Sequence, residues 1–208
     1  MLNAASITKR QDALTAIWHG PTSADFGLYE SLTDLNAIIE QQHRANFELW
    51  HEEDQARDPE ATDRAIATVK HAIDRLNQRR NDLVEQIDIA LLESLQPTFE
   101  AHPQAPLHSE TPGMMIDRLS ILALKVFHTR EESERGTATP EHREKNTRRL
   151  TLLLEQQGDL AAALDALDRE MSRGLRRFKL YRQMKMYNDP ELNPAIYKHQ
   201  TGISIERP

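Results

Sequence analysis

Between Leu150 and Phe178 the apolar residues Leu150, Leu154, Ala161, Leu164, Met171, Leu175 and Phe178 fall at steps of three, four or seven. Only a repeat of 3.6 residues keeps such positions on one side of a chain; a strand would scatter them over both faces. The spacing predicts one long helix that starts near Pro140, runs through Phe178 and bends, if anywhere, at Gly158. The same rhythm recurs upstream, punctuated by proline. It predicts helices over about 5–18, 27–57, 59–95 and 112–135. HGPTSAD (19–25) separates the first two, and QPTFEAHPQAPLHSET (96–111), with three prolines, forms the longest loop. Pro59 is placed in a first helical turn, and Thr111-Pro112 reads as an N-cap followed by proline at the first position.

Composition narrows the fold further. The 208 residues are rich in Leu, Ala, Glu, Gln and Arg, only 5% aromatic, and include seven glycines. That suits a single all-α domain over 1–208, an up-and-down bundle of five to six helices, and leaves little material for sheets or phosphate-cradling glycine loops. The absence of cysteine excludes disulfides, thiolate catalysis and Cys-ligated metals. The amino terminus has no apolar signal region, and the longest apolar run, ILAL at 121–124, ends at Lys125, so a soluble, cytoplasmic protein with no membrane span is expected. After the last helix, KMYNDPELNPAIY (185–197) holds two cap-plus-proline pairs and is expected to dock on the bundle as a non-helical clasp.

Charge is unevenly spread. The net charge is −7, yet residues 173–185 carry six Arg or Lys and no acid, leaving −13 on the rest. Bulk nucleic-acid binding does not fit this balance, whereas a small anionic ligand does.

The second helix carries an anomaly. Its buried stripe, Leu32, Leu35 and Ile39, continues in the same direction through His43, Asn46, Trp50, Asp54 and Arg57. An apolar row has turned polar without leaving the core face, and each unpaired buried polar group costs about 1–3 kcal/mol. The third helix runs a row of Lys70, Asp74, Asn77, Asn81 and Asp88 beside its apolar stripe, and the fourth places Asp117, Leu124, His128 and Glu131 on one face. Three such rows predict a polar pocket between helices, lined by Trp50, Asp54, Arg57, Lys70, Asp74, Asn77, Asp117 and His128. Arg57, Lys70 and Lys185 are the anion-holding candidates, with Tyr187 and Asn188 at the rim; Asp54 or Asp117 with His128 would supply acid–base chemistry. The competing expectation is that ion pairs such as Asp54–Lys70 and Asp74–Arg57 only fix helix register. Glu48-x-x-His51 occurs once, without the second copy a di-metal carboxylate bundle requires, and Glu85-x-x-Asp88 lacks its other half, so no metal site is expected.

LWHEEDQAR, KHAIDRLNQRRNDLVEQID, SETPGMMIDRLSILALKVFH and YRQMKMYNDPELNPAIY together resemble a bacterial domain-of-unknown-function family, number 4254, over about Trp18 to Tyr197. The resemblance implies an all-helical protein. Its motif positions fall on Trp50, His51, Glu53, Asp54, Arg57, Asp74, Asn77, Arg80, Glu110, Gly113, Asp117, Arg118, Lys125, His128, Lys185, Tyr187, Asn188, Asp189 and Asn193. It adds His51 and Arg118 to the ligand-binding candidates. Members often sit beside glycosyltransferase and cell-envelope polysaccharide genes, which implies a sugar phosphate or nucleotide sugar as ligand. The other expectation is a non-catalytic accessory protein that binds a glycosyltransferase or forms a homodimer.

Overall fold

The computed structural model describes residues 2–20, 34–180, 182, 191 and 192. Within them lie five helices: α1 (Ala4–His19), α2 (Leu35–Gln55), α3 (Asp63–Ala101), α4 (Pro112–Glu134) and α5 (Pro140–Ser172). Each begins where a short polar side chain takes over a backbone N–H that the helix cannot satisfy itself. Asn3, Asp34, Thr62, Thr111 and Thr139 accept from Ser6, Asn36, Ala65, Met114 and His142 respectively. Proline follows the cap directly in α4 and α5, where its missing N–H costs nothing.

Three expected boundaries shift, each for a local reason. The third helix starts at Asp63 rather than Pro59, because Asp58 closes a turn by accepting the Glu60 N–H at 2.9 Å, and Thr62 then supplies the cap. It also runs past the expected end, through Pro97 to Ala101. A proline there forfeits one helical hydrogen bond, and the packing of Leu95 and Phe99 against the core offsets the loss. The last helix stops at Ser172, well short of Phe178. Gly174, at φ 70°, turns the chain left-handed, so its N–H bonds Met171 O at 3.0 Å and that of Leu175 bonds Glu170 O at 2.9 Å. Residues 27–33 of the second expected helix, and the clasp apart from Glu191 and Leu192, lie outside the described residues.

From α2 onward the chain alternates direction. The pair α2/α3 and the pair α4/α5 form antiparallel hairpins, with Glu132 meeting His142 at 2.7 Å across the second turn. Helix α1 lies parallel to α2, as Arg10–Glu40 near one end and His19–His51 near the other show. Helix α4 packs against all four others. Its Ile116, Leu119, Ala123 and Leu124 are fully enclosed, as the apolar faces of a central helix should be. The core continues through Ile39, Ile87, Leu91, Leu164, Leu167 and Met171. Leu154 and Leu175, expected inward, are 43% and 58% exposed. The chain after α5 lies beside the 102–111 loop, with Arg177 N–H on Pro106 O at 3.0 Å and His108 N–H on Arg177 O at 2.7 Å. Phe178 is buried there, edge-on to Phe99 at 5.9 Å.

Candidate functional site

The polar continuation of the α2 stripe enters the core and leaves it again at Trp50. His43 and Asn46 are buried, Trp50 is half-buried, and Asp54 and Arg57 are exposed. The buried part meets α4 in a hydrogen-bonded network. Asp117 Oδ1 accepts from Gln42 at 2.6 Å, Asn46 at 2.9 Å and Arg80 Nε at 2.8 Å, while its Oδ2 accepts from Arg80 Nη2 at 2.7 Å. Such a fork-to-fork pair fixes both groups, and four donated hydrogen bonds hold the Asp117 carboxylate in place. Asn46 also donates to Ser120 Oγ at 2.9 Å. His43 lies 2.7 Å from Ser120 Oγ through Nδ1 and 3.0 Å from Thr15 Oγ1 through Nε2. The Thr15 hydroxyl donates to Gln11 O at 2.9 Å, which assigns the His43 proton to Nε2 and the Ser120 hydroxyl proton toward Nδ1. Burial drives the His43 pKa down to about 3, so the ring is neutral, with both nitrogens hydrogen-bonded.

Above this network, where Trp50 emerges, a groove of about 390 Å³ opens between α2, α3 and α4. Leu49, Ile121 and Leu124 give it apolar walls, and Trp50, Glu53, Asp54, Arg57 and Arg80 give it polar ones. Arg57 is held 2.9 Å from Glu53 on its own helix, not by Asp74. Arg80, with its side chain 26% exposed, is locked by Asp117, and its Nη1 carries no hydrogen bond among the described residues.

Histidines gather on the other side of Trp50. The Trp50 ring stacks on His128 at 4.9 Å and 9°. His19 ends α1, His51 lies on α2 and His128 on α4, and one ring nitrogen from each falls within 4.8 Å of the others. His19 Nδ1 lies 2.7 Å from Thr15 O and His51 Nδ1 lies 2.8 Å from Phe47 O. His128 Nδ1 lies 3.1 Å from Glu131 Oε2. Burial first, and then the neighbouring His19, holds His128 below the ordinary histidine pKa.

The remaining expected site residues are scattered. Lys70 and Asp74 form an exposed pair with each other at 2.9 Å and do not line the groove, so neither the Asp54–Lys70 nor the Asp74–Arg57 pair forms. Asn77 is half-buried on the same helix but is not a groove residue. The row on α3 divides: Lys70 and Asp74 face solvent, Asp88 is buried, and the side chain at the groove is Arg80, which periodicity leaves off the row and only the family motif flags. Arg118 Nη1 donates to both carboxylate oxygens of Glu110, at 2.6 and 2.8 Å, in a second groove of about 700 Å³ between α4 and α5 that also reaches Lys125. Glu48 binds Arg44 at 2.8 Å instead of turning toward His51. Lys185, Tyr187 and Asn188 lie outside the described residues. Gln42, Ser120 and His19 were not anticipated. Gln42 neighbours the predicted stripe residue His43, whereas His19 sits in what reads as a break and offers no periodic signal.

No curated protein and no solved structure matches the chain. A family model does, over residues 36–180, spanning the Asp117 network, the groove and two of the three clustered histidines. By that match the chain belongs to the DUF4254 family, described as proteins of unknown function.

Proposed function

We propose that this protein binds a small polar organic molecule in the groove between α2, α3 and α4, and that the ligand is a sugar phosphate or nucleotide sugar of cell-envelope glycan synthesis. The observation that carries the reading is Arg80. A guanidinium pinned by a buried carboxylate, with an amino group left over at a groove wall, is pre-organised to donate to an anionic oxygen at little entropic cost. Trp50 beside it offers an aromatic surface for a sugar or base, and Glu53 and Asp54 offer acceptors for hydroxyls. Arg57 is the second donor. Asp54, exposed at the groove wall, rather than the buried Asp117 that Arg80 holds, is then the carboxylate placed to exchange protons with a ligand. The glycan context comes from the family resemblance alone.

A thermal-shift screen of nucleotide sugars and sugar phosphates tests the reading. A true ligand at a hundred times its dissociation constant adds about 2.7 kcal/mol of stability. Trp50→Leu and Arg57→Ala should abolish that gain while leaving the ligand-free helical signal intact. Absence of any shift across the class at millimolar ligand would sink it. A second reading, an accessory protein that binds a glycosyltransferase or itself, draws on Leu152 and Leu154, which stand 59% and 43% exposed on α5. Under that reading the wild type sediments as a dimer or binds the transferase, and Leu152→Ser/Leu154→Ser does neither.

A further inference from the structure

We propose that His19, His51 and His128 form a three-histidine binding site for a divalent transition metal of the zinc class. The inference rests on these three rings and not on the groove.

Lone pairs are the first argument. A backbone carbonyl can only accept, so the Nδ1 atoms of His19 and His51, at 2.7 and 2.8 Å from carbonyl oxygens, carry the ring protons. The Glu131 carboxylate fixes the His128 proton on Nδ1 in the same way, at 3.1 Å. In the neutral form of each ring Nε2 is then a bare lone pair. The Nε2 atoms of His19 and His128 are buried and have no hydrogen-bond partner. Two buried acceptors without a donor are an unfavourable arrangement for a protein alone, and a cation between them resolves it. His43, which meets the same Thr15 as His19, is the contrast: both its nitrogens are bonded, and it belongs to the core network.

Geometry is the second argument. One ring nitrogen from each histidine lies within 4.8 Å of the others, and the rings are mutually tilted, at 45°, 62° and 81°, rather than stacked. A tetrahedral centre with metal–nitrogen bonds of about 2.0–2.1 Å needs its nitrogens about 3.4 Å apart. Each ring therefore has to move inward by less than about 1 Å. Each already has the outer partner that metal-bound histidines use to hold tautomer and orientation: two carbonyls and a carboxylate. Imidazole ligands suit Zn²⁺, Ni²⁺, Cu²⁺ and Co²⁺ rather than Mg²⁺ or Ca²⁺. Three protein ligands also leave a fourth position for water or a ligand atom, the coordination of catalytic rather than structural zinc. The site draws on α1, α2 and α4, so metal binding would clamp these three helices together.

The experiment uses chelator-treated full-length protein. Titration with Zn²⁺ should show one equivalent bound per chain and a raised Tm, and Co²⁺ should give the intense visible absorption of a four-coordinate ion. His51→Ala and His128→Gln should each weaken binding more than 100-fold, and Glu131→Gln, which touches only the outer partner, by about 10-fold. His71→Ala and His142→Ala should change nothing. The wild-type stoichiometry decides the matter even if a variant misfolds. Binding of well under one equivalent, a Co²⁺ spectrum like that of the hydrated ion, or affinity that survives His51→Ala with unchanged circular dichroism would each overturn the proposal.

Discussion

Gly113 and Asp88 show how single atoms set the docking of the central helix. A Cβ on Gly113 would lie 2.7 Å from Val84 O and 2.8 Å from Asp88 Oδ1, so only glycine lets the start of α4 approach α3 this closely. The closeness serves a bond: the Gly113 N–H donates to Asp88 Oδ1 at 2.7 Å. Burial raises the Asp88 pKa to about 6, although its bonds to Thr111 and Gly113 pull the other way. The folded state therefore holds this proton more tightly than the unfolded chain, whose carboxyl titrates at 3.8. The Asp88 contribution to stability is complete below about pH 4 and falls as pH rises through about 6. At neutral pH the ionised group costs up to about 3 kcal/mol. Asp88→Asn keeps an oxygen for the Gly113 N–H, so it should gain stability at pH 7 and match the wild type near pH 4. Urea denaturation of both proteins from pH 4 to 7 checks this, and a difference that does not vary with pH refutes it. Asp88 was legible as a polar residue beside an apolar stripe. Its partner was not, because a contact between a carboxylate and a backbone N–H leaves no periodic trace.

Helix existence was legible in every described case, and helix ends were less so. Apolar spacing carried the last helix to Phe178, yet Leu175 is exposed and Phe178 reaches the core from non-helical chain. Spacing reports which residues want burial and is silent on the backbone that delivers them. The stop lies in one residue. Gly174 sits at φ 70°, where a side chain is strained, and its ideal Cβ would fall 1.8 Å from the His102 ring. His102 is exposed and can swing away, so the backbone term dominates. Gly174→Ala should lower stability by about 1–2 kcal/mol, and Gly174→Asn by less, since asparagine visits the left-handed region more readily. Equal losses for the two variants in a urea titration would mean that the ring contact, not the backbone, sets the cost. Pro97 taught the opposite lesson: a residue that reads as a helix breaker is tolerated one turn from the end, because Phe99 beyond it packs on the core.

At the scale of the whole molecule, two kinds of adhesive divide the work. Helix α5 is held largely by apolar burial, through Leu160, Leu164, Leu167 and Met171. Helices α1 to α4 are also stitched by the polar chain from Gln11 through Thr15, His43, Ser120 and Asn46 to Asp117 and Arg80. The sequence exposed the α2 side of this chain as a stripe that turned polar, and two explanations fitted it, a pocket or a register-setting network. The structure divides the stripe between them: the inner half is a buried hydrogen-bonded network and the outer half borders a groove. A directional network tolerates few alternative alignments of four helices, whereas an apolar seam can slip by a turn. Breaking it at Asp117 tests that role. Asp117→Ala leaves the Arg80 guanidinium and two buried amides without their acceptor and should cost about 3–5 kcal/mol. Replacing both ends, in Asp117→Ala/Arg80→Met, removes the stranded charge and should cost less than Asp117→Ala alone, although it removes more polar contacts. Guanidinium denaturation of the two singles and the double gives the coupling directly. If the losses simply add, Asp117 and Arg80 stabilise the bundle independently, and the pairing is not what aligns α3 with α4.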